Sequence, residues 1–306
     1  MGSSQGRRDV NSASGYNGVM TIFFHCLTAI LLFPATLAAG QKQEAVWSEQ
    51  EKPIVERMKG LRQMPEMLRA DTTRQLAFKI RLLPKSPNKL RLADHLANRA
   101  TEGDLGHDTL QEVSTTLAAA LRDDPPAEEK DGPAEPYVEL ATLIRYERVV
   151  VHLEAPALQA AMAKLEADDK ARREANFTLS DLEGKKWTLK ELQGKIVVVN
   201  FWATWCPPCR SEIPDLQGLY GEFKDKGVVI LGISDEEADK VKPFIAEQNV
   251  TYPILLDPGR KVNDAFRVQG IPRTFVYNRE GKLATQAIDM RTRRQFLTLL
   301  RMAGLQ

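Results

Sequence analysis

Two of the three cysteines in this 306-residue chain, Cys206 and Cys209, stand three positions apart, between two patterns that belong to different elements. Before them, Ile196 to Phe201 is a continuous apolar, valine-rich run, the mark of a strand buried on both faces. After them, Cys209, Glu212, Leu216, Leu219 and Phe223 recur at intervals of 3, 4, 3 and 4, which is one face of a helix. A dithiol at such a strand-to-helix junction puts Cys206 at the exposed N-terminal end of the helix. There the macrodipole and free amides favour the thiolate, the form that attacks a disulfide. Cys206 is therefore the expected nucleophile. Cys209, one turn deeper, is placed to attack the mixed disulfide formed on Cys206 and release the partner.

Rival uses of a CxxC pair fit less well. A secreted scaffold would spread its cysteines to close long loops, and this chain spends both on one tight loop. Zinc needs four ligands, but there is no second cysteine pair and His95, His107 and His152 lie far off in another part of the chain. Covalent haem needs a histidine directly after the second cysteine, where Arg210 stands. No metal and no cofactor is expected.

The segment 41 to 175 has long stretches of helical spacing from about Val46 on. Leu76, Ile80 and Leu83 line one face; Leu90, Ala93, Leu96 and Ala97 another; Val113, Leu117, Ala120 and Leu121 a third; Leu140, Leu143 and Ile144 a fourth. Breaks at Pro84 to Pro87, Gly103 to Gly106 and Asp123 to Pro136 separate them, and the charged run Asp168 to Glu174 reads as a solvated helix face. This segment reads as an all-α domain of unassigned role. From 176 to 306 the pattern changes. A hairpin around Gly184 precedes strand 196–201, a helix to about Asp225, strand 228–233, a helix over 236–248, strands at 254–256, 274–277 and 282–288, and a helix from about Thr292 to Met302. That order predicts an α/β fold, a mixed sheet covered by helices.

Asn200-Phe201-Trp202-Ala203-Thr204-Trp205-Cys206-Pro207-Pro208-Cys209 resembles the active-site signature of the TlpA/ResA-like thiol-disulfide oxidoreductases, and Gly270-Ile271-Pro272-Arg273-Thr274-Phe275 is similar to the loop in which thioredoxin folds carry a cis-proline facing the dithiol. The resemblance covers residues 176 to 306 and implies a thioredoxin-like fold there, acting on protein disulfides. It implies a cis bond before Pro272, and substrate contacts at Trp205, Pro207, Ile271 and Pro272, with Ile271 offering backbone hydrogen bonds to an extended substrate strand. It makes Trp202 and Trp205 a contact surface beside the dithiol. Asn200 stands where thioredoxin has a buried aspartate. Glu212, on the dithiol face of its helix, is then the expected catalytic carboxylate, with a pKa raised by burial and able to take the proton of Cys209. The family also implies a membrane-embedded electron donor, and cytochrome c maturation as one task.

The direction of electron flow is read from the loop. Pro207 and Pro208 have no N–H, so only the Cys209 amide is left there to stabilise a Cys206 thiolate. The disulfide form is relatively favoured, and the protein is expected to reduce its substrates. Arg210 adds positive charge against this trend, but a solvated guanidinium is screened.

Residues 1 to 40 hold the strongly apolar run Val19 to Ala39, preceded by Arg7 and Arg8 and followed by small residues suited to a signal peptidase. It reads as an export signal, with an uncleaved N-terminal membrane anchor as the second reading, since the run is about as long as a span of ~20 residues. Both place the rest of the chain outside the cytoplasm, in the periplasm or facing it. Cys26 inside that run reads as a small apolar residue. A net charge of +1 gives no argument for a nucleic-acid partner. Two other functions fit the sequence less well. A peroxiredoxin-like peroxidase would carry Pro and Thr seven and three positions before the reactive cysteine, where Val199 and Ala203 stand. A helical adaptor with an accessory redox domain would have no use for an intact dithiol.

Overall fold

The computed structural model describes residues 46–306 except 128, 129 and 131. The export-signal and anchor readings, and Cys26, lie outside the described residues. Among the described residues no helix is long and apolar enough to cross a membrane.

Six helices come first: α1 (Lys52–Lys59), α2 (Glu66–Leu82), α3 (Pro87–Ala100), α4 (His107–Asp123), α5 (Glu135–Tyr146) and α6 (Pro156–Glu174). Their starts follow from local chemistry. Prolines occupy the first turn of α1, α3, α5 and α6, where a missing N–H costs nothing, and the Ser86 hydroxyl caps α3 by accepting the Lys89 N–H at 3.2 Å. The apolar faces read from the sequence meet in one core that includes Leu76, Ile80, Leu96, Leu117, Leu121 and Leu140. Between α3 and α4, Gly103 has φ +94°, and a Cβ there would lie 3.1 Å from the Met290 methyl. A side chain at this position would be strained by the left-handed backbone and would displace the ends of the Met290 and Arg69 side chains.

A short hairpin, β1 (Thr178–Ser180) and β2 (Lys186–Thr188), leads into the sheet. Its strands are β3 (Ile196–Phe201), β4 (Val228–Ser234), β5 (Ile254–Leu256), β6 (Arg273–Tyr277) and β7 (Leu283–Ala287), in the order β5-β4-β3-β6-β7. β3, β4 and β5 are parallel; β6 pairs antiparallel with β3, and β7 antiparallel with β6. Helix α7 (Pro207–Phe223) follows β3, α8 (Ala238–Glu247) follows β4, α9 (Lys261–Ala265) follows β5, and α10 (Arg293–Met302) follows β7. This is the mixed sheet with flanking helices of a thioredoxin-like fold. All six residues of β3 are buried because the strand is central and covered on both faces. Ile196 and Val198 pack with Leu216 and Phe296 on one face, Val197, Val199 and Phe201 with Phe266 and Phe275 on the other. α9 has no counterpart in the sequence reading, since five residues are too few for a periodic signal.

The helices and the sheet belong to one compact unit, Ala45–Gln306. Polar contacts join them. The Gly103 N–H donates to the Met290 carbonyl (3.0 Å), Thr101 Oγ1 to Asp289 (2.9 Å), and the Arg291 guanidinium to the Thr101 carbonyl (2.9 Å) and to Glu147. Here one expectation fails. Within the run read as a solvated face, Asp169 and Arg172 are only 5% and 4% exposed. Arg172 donates to the carbonyls of Phe266 (3.0 Å) and Arg267 (3.2 Å), and Asp169 accepts from Arg145 (2.6 Å), Tyr146 (2.9 Å), Arg172 (3.0 Å) and Gln286 (2.8 Å). The end of α6 is welded to the sheet layer. Charge along a sequence cannot reveal this, because every partner outside the helix comes from elsewhere in the chain.

Candidate active site

β3 delivers the chain to the start of α7, where Cys206 is the N-cap and Pro207 and Pro208 fill the first turn. Cys206 and Cys209 are joined as a disulfide. The Cys209 N–H donates to Cys206 Sγ at 3.2 Å, the one loop amide that the two prolines leave available. The cysteine at the helix start is not exposed, however. Cys206 is 2% accessible and Cys209 fully covered, whereas Trp205 is 66% exposed and Pro207 lies on the surface. The cover comes from the loop before β6, whose Ile271 carbonyl oxygen lies 3.7 Å from Cys206 Sγ. The Ile271–Pro272 bond is cis. Residues 65 positions apart thus meet at the sulfur. Trp202 departs from the surface role given it by the resemblance: it is buried, with its ring 5.5 Å from that of Phe244. Trp202 is packed into the core and Trp205 lies on the surface beside the dithiol.

Glu212 lies on α7 one turn beyond Cys209 and is 1% exposed. Its carboxylate accepts from Asn200 Nδ2 (2.7 Å) and from the Arg291 backbone N–H (3.1 Å). Asn200, opposite Thr274 in the β3–β6 ladder, also donates to Thr274 Oγ1 at 3.0 Å. Burial pushes the Glu212 pKa up to about 8; the two donors pull against it and nearby Asp289 pushes further. A carboxyl with a pKa this close to neutrality can both accept and return a proton.

Sequence reasoning missed two supports of this site. Glu236, just before α8, accepts from the Thr204 N–H (2.6 Å) and Thr204 Oγ1 (2.8 Å), pinning the turn that precedes Cys206. Arg291 supplies its backbone amide to Glu212 while the helices hold its guanidinium. Neither residue belongs to a motif, and a backbone donor has no sequence signal at all.

A disulfide at a helix N-cap, set at the end of a central parallel strand and covered by the loop before the next antiparallel one, defines a class: thiol-disulfide oxidoreductases of the thioredoxin fold. Comparison with known proteins narrows it. A family model described as "AhpC/TSA family" matches residues 170–286. The thiol-disulfide oxidoreductase ResA of Bacillus thuringiensis (strain Al Hakam) is 40% identical over 121 residues, covering 39% of this chain and 70% of the relative. ResA of Bacillus subtilis (strain 168) is 42% identical over 109 residues, covering 35% and 61%. Among solved structures, StoA from Bacillus subtilis aligns at 26% identity with a TM-score of 0.38, over 41% of this chain and 96% of that one. The chain belongs to the ResA family of thiol-disulfide oxidoreductases. The family-model match begins within α6, so α1 to α5 lie outside it.

Proposed function

We propose that this protein works outside the cytoplasm as a reductase of protein disulfides, with cytochrome c maturation as the task its family resemblance implies. In the reduced protein the Cys206 thiolate attacks a substrate disulfide, forming a Cys206–substrate disulfide and releasing one substrate thiolate. Cys209 then passes its proton to the Glu212 carboxylate and attacks Cys206 Sγ. The Cys206–Cys209 disulfide forms, the second substrate thiolate leaves, and the proton held by Glu212 is free to follow it. Two electrons pass to the substrate, and a membrane-embedded donor of the kind the family implies restores the dithiol. Trp205, Pro207, Ile271 and Pro272 form the surface that meets the substrate.

The observation that carries the direction is the loop at the helix start. Cys206 Sγ receives a single loop amide, from Cys209, because the two intervening residues are prolines. A poorly stabilised thiolate favours the disulfide form, and a protein that prefers its own disulfide gives electrons away. The test is a Cys209→Ser chain mixed with a disulfide-bonded protein. A covalent adduct on Cys206 that builds up and is cleared by added thiol is expected; the absence of any adduct would contradict the proposal.

A further inference from the structure

Next to the loop that covers Cys206 is a cavity of about 90 Å³ between the helices and the sheet layer, lined by Tyr146, Arg172, Arg267, Gln269, Gly270 and Arg273 among others. Gln269, Gly270 and Arg273 bracket the Ile271–Pro272 bond, so the cavity and the dithiol lie against the same short stretch of chain.

Its charges are unequally matched. Arg172 is engaged by Asp169 and by two carbonyls. Asp168, the one carboxylate of the lining, is paired with Lys164 at 3.1 Å. Both oxygens of neighbouring Asp169 are occupied, by Arg145, Tyr146, Arg172 and Gln286. Among the described residues, neither Arg267 nor Arg273 has a carboxylate partner within ion-pair distance. Arg273 is half-buried, with its guanidinium 5.2 Å from the Tyr146 ring and a neutral acceptor, Gln286, at 2.8 Å. Burial and the charge of Arg172 push its pKa down to about 10, and the opposing pull of Tyr146 and of the already engaged Asp169 does not offset them. A guanidinium taken from water without a counter-ion is an open position for an anion, and the fork of an arginine matches a carboxylate in particular.

We infer that this cavity is a subsite for an acidic side chain, glutamate or aspartate, lying within two residues of the substrate cysteine. This rests on the exchange reading above and names a substrate class for it. A strand rises ~3.3 Å per residue, so a substrate paired along Ile271 brings a side chain one or two residues from its cysteine over Gly270 and Gln269, which line the cavity and are exposed. Tyr146 from α5 and Arg172 from α6 complete the wall. The helical layer thereby reads the residue beside the substrate cysteine, while the dithiol reads the sulfur.

The test uses the full chain in its reduced form and hexapeptides carrying one cysteine, each linked by a disulfide to 2-mercaptoethanol so that the leaving thiol is neutral. Glutamate or glutamine is placed in turn at the two positions on each side of the cysteine. At one position the glutamate peptide should react about tenfold faster than its glutamine twin, and 1 M NaCl should reduce that ratio. In Arg273→Gln, and separately in the exposed-site variant Arg267→Gln, the ratio should fall toward one. Because the ratio is taken within each variant, partial loss of folded protein cancels. Equal rates for glutamate and glutamine at all four positions would overturn the subsite while leaving the exchange reading intact. No reaction with any peptide would sink the exchange reading, and the subsite with it. Running the reaction backwards, oxidised chain with peptide thiol, should show the same preference whichever direction proves physiological.

Discussion

Asp169 and Glu212 are both nearly sealed from water, at 5% and 1% exposure, yet burial leads them to opposite ends. For Asp169, burial alone would raise the pKa. Hydrogen bonds from Gln286, Arg145 and Tyr146, with the charge of Arg145, outweigh it and hold the group below the usual carboxylate range. Glu212 is offered two uncharged donors and no cationic one among the described residues, because the Arg291 guanidinium bonds to Thr101 and Glu147 and acts on Glu212 only through its charge. Its pKa rises to about 8. The lesson is that depth does not decide what a buried carboxyl does; the charge of its donors does. Asp169 is a fixed ion that joins the helices to the sheet, and Glu212 is a group whose proton can move.

The comparison breaks most visibly at Asp169. Asp169→Ala leaves Arg145 and Arg172 without their counter-ion at the junction, and removing one partner of a buried pair typically costs about 3–5 kcal/mol. Urea unfolding should show a loss of that order. A loss under about 1 kcal/mol would mean that the network is decoration. The sign of its pH dependence is set by the lowered pKa: Asp169 stabilises the fold above the ordinary carboxylate value of 3.8, and that contribution is lost as the pH falls through its depressed value.

Glu212 should behave in the opposite sense. Its folded pKa lies above the unfolded value, so it binds its proton more tightly in the folded chain. Any stability linked to it is complete below about pH 4.5 and is lost as the pH rises through about 8. Glu212→Gln keeps the shape and removes the titration. The variant should therefore gain on the parent between pH 5 and pH 9, by something on the order of 2–3 kcal/mol. In stopped-flow exchange, the same variant should slow release of the mixed disulfide tenfold to a hundredfold, leave the first attack by Cys206 nearly unchanged, and lose the rise in rate toward pH 8. If both steps and both pH profiles are unaltered, the two carboxylates do not differ in the way described.

Much of this contrast was legible in the sequence on the Glu212 side and almost none of it on the Asp169 side. The 3,4,3,4 spacing puts Glu212 on the same helix face as Cys209, and the helix-to-core direction follows from Leu216, Leu219 and Phe223. The strand, the dithiol turn and the helix after it are local patterns, and local patterns survive into the structure. Asp169 and Arg172 look from the sequence like any exposed Asp/Arg pair three apart. What buries them is Phe266, Arg267 and Gln286, about a hundred positions away. A separation of 65 positions hides the cover over Cys206 in the same way. A helix N-terminus is normally open, and here the loop carrying Ile271 approaches it.

The central claim, that the Cys206–Cys209 pair gives electrons away, is tested most directly by its midpoint potential. Equilibrating the full chain with glutathione buffers and following Trp205 fluorescence would give that value. The single amide at Cys206 Sγ predicts a midpoint nearer the ~−270 mV of thioredoxin. A midpoint near the ~−120 mV of the strongest oxidant of the fold would contradict the account and make the protein an acceptor of electrons.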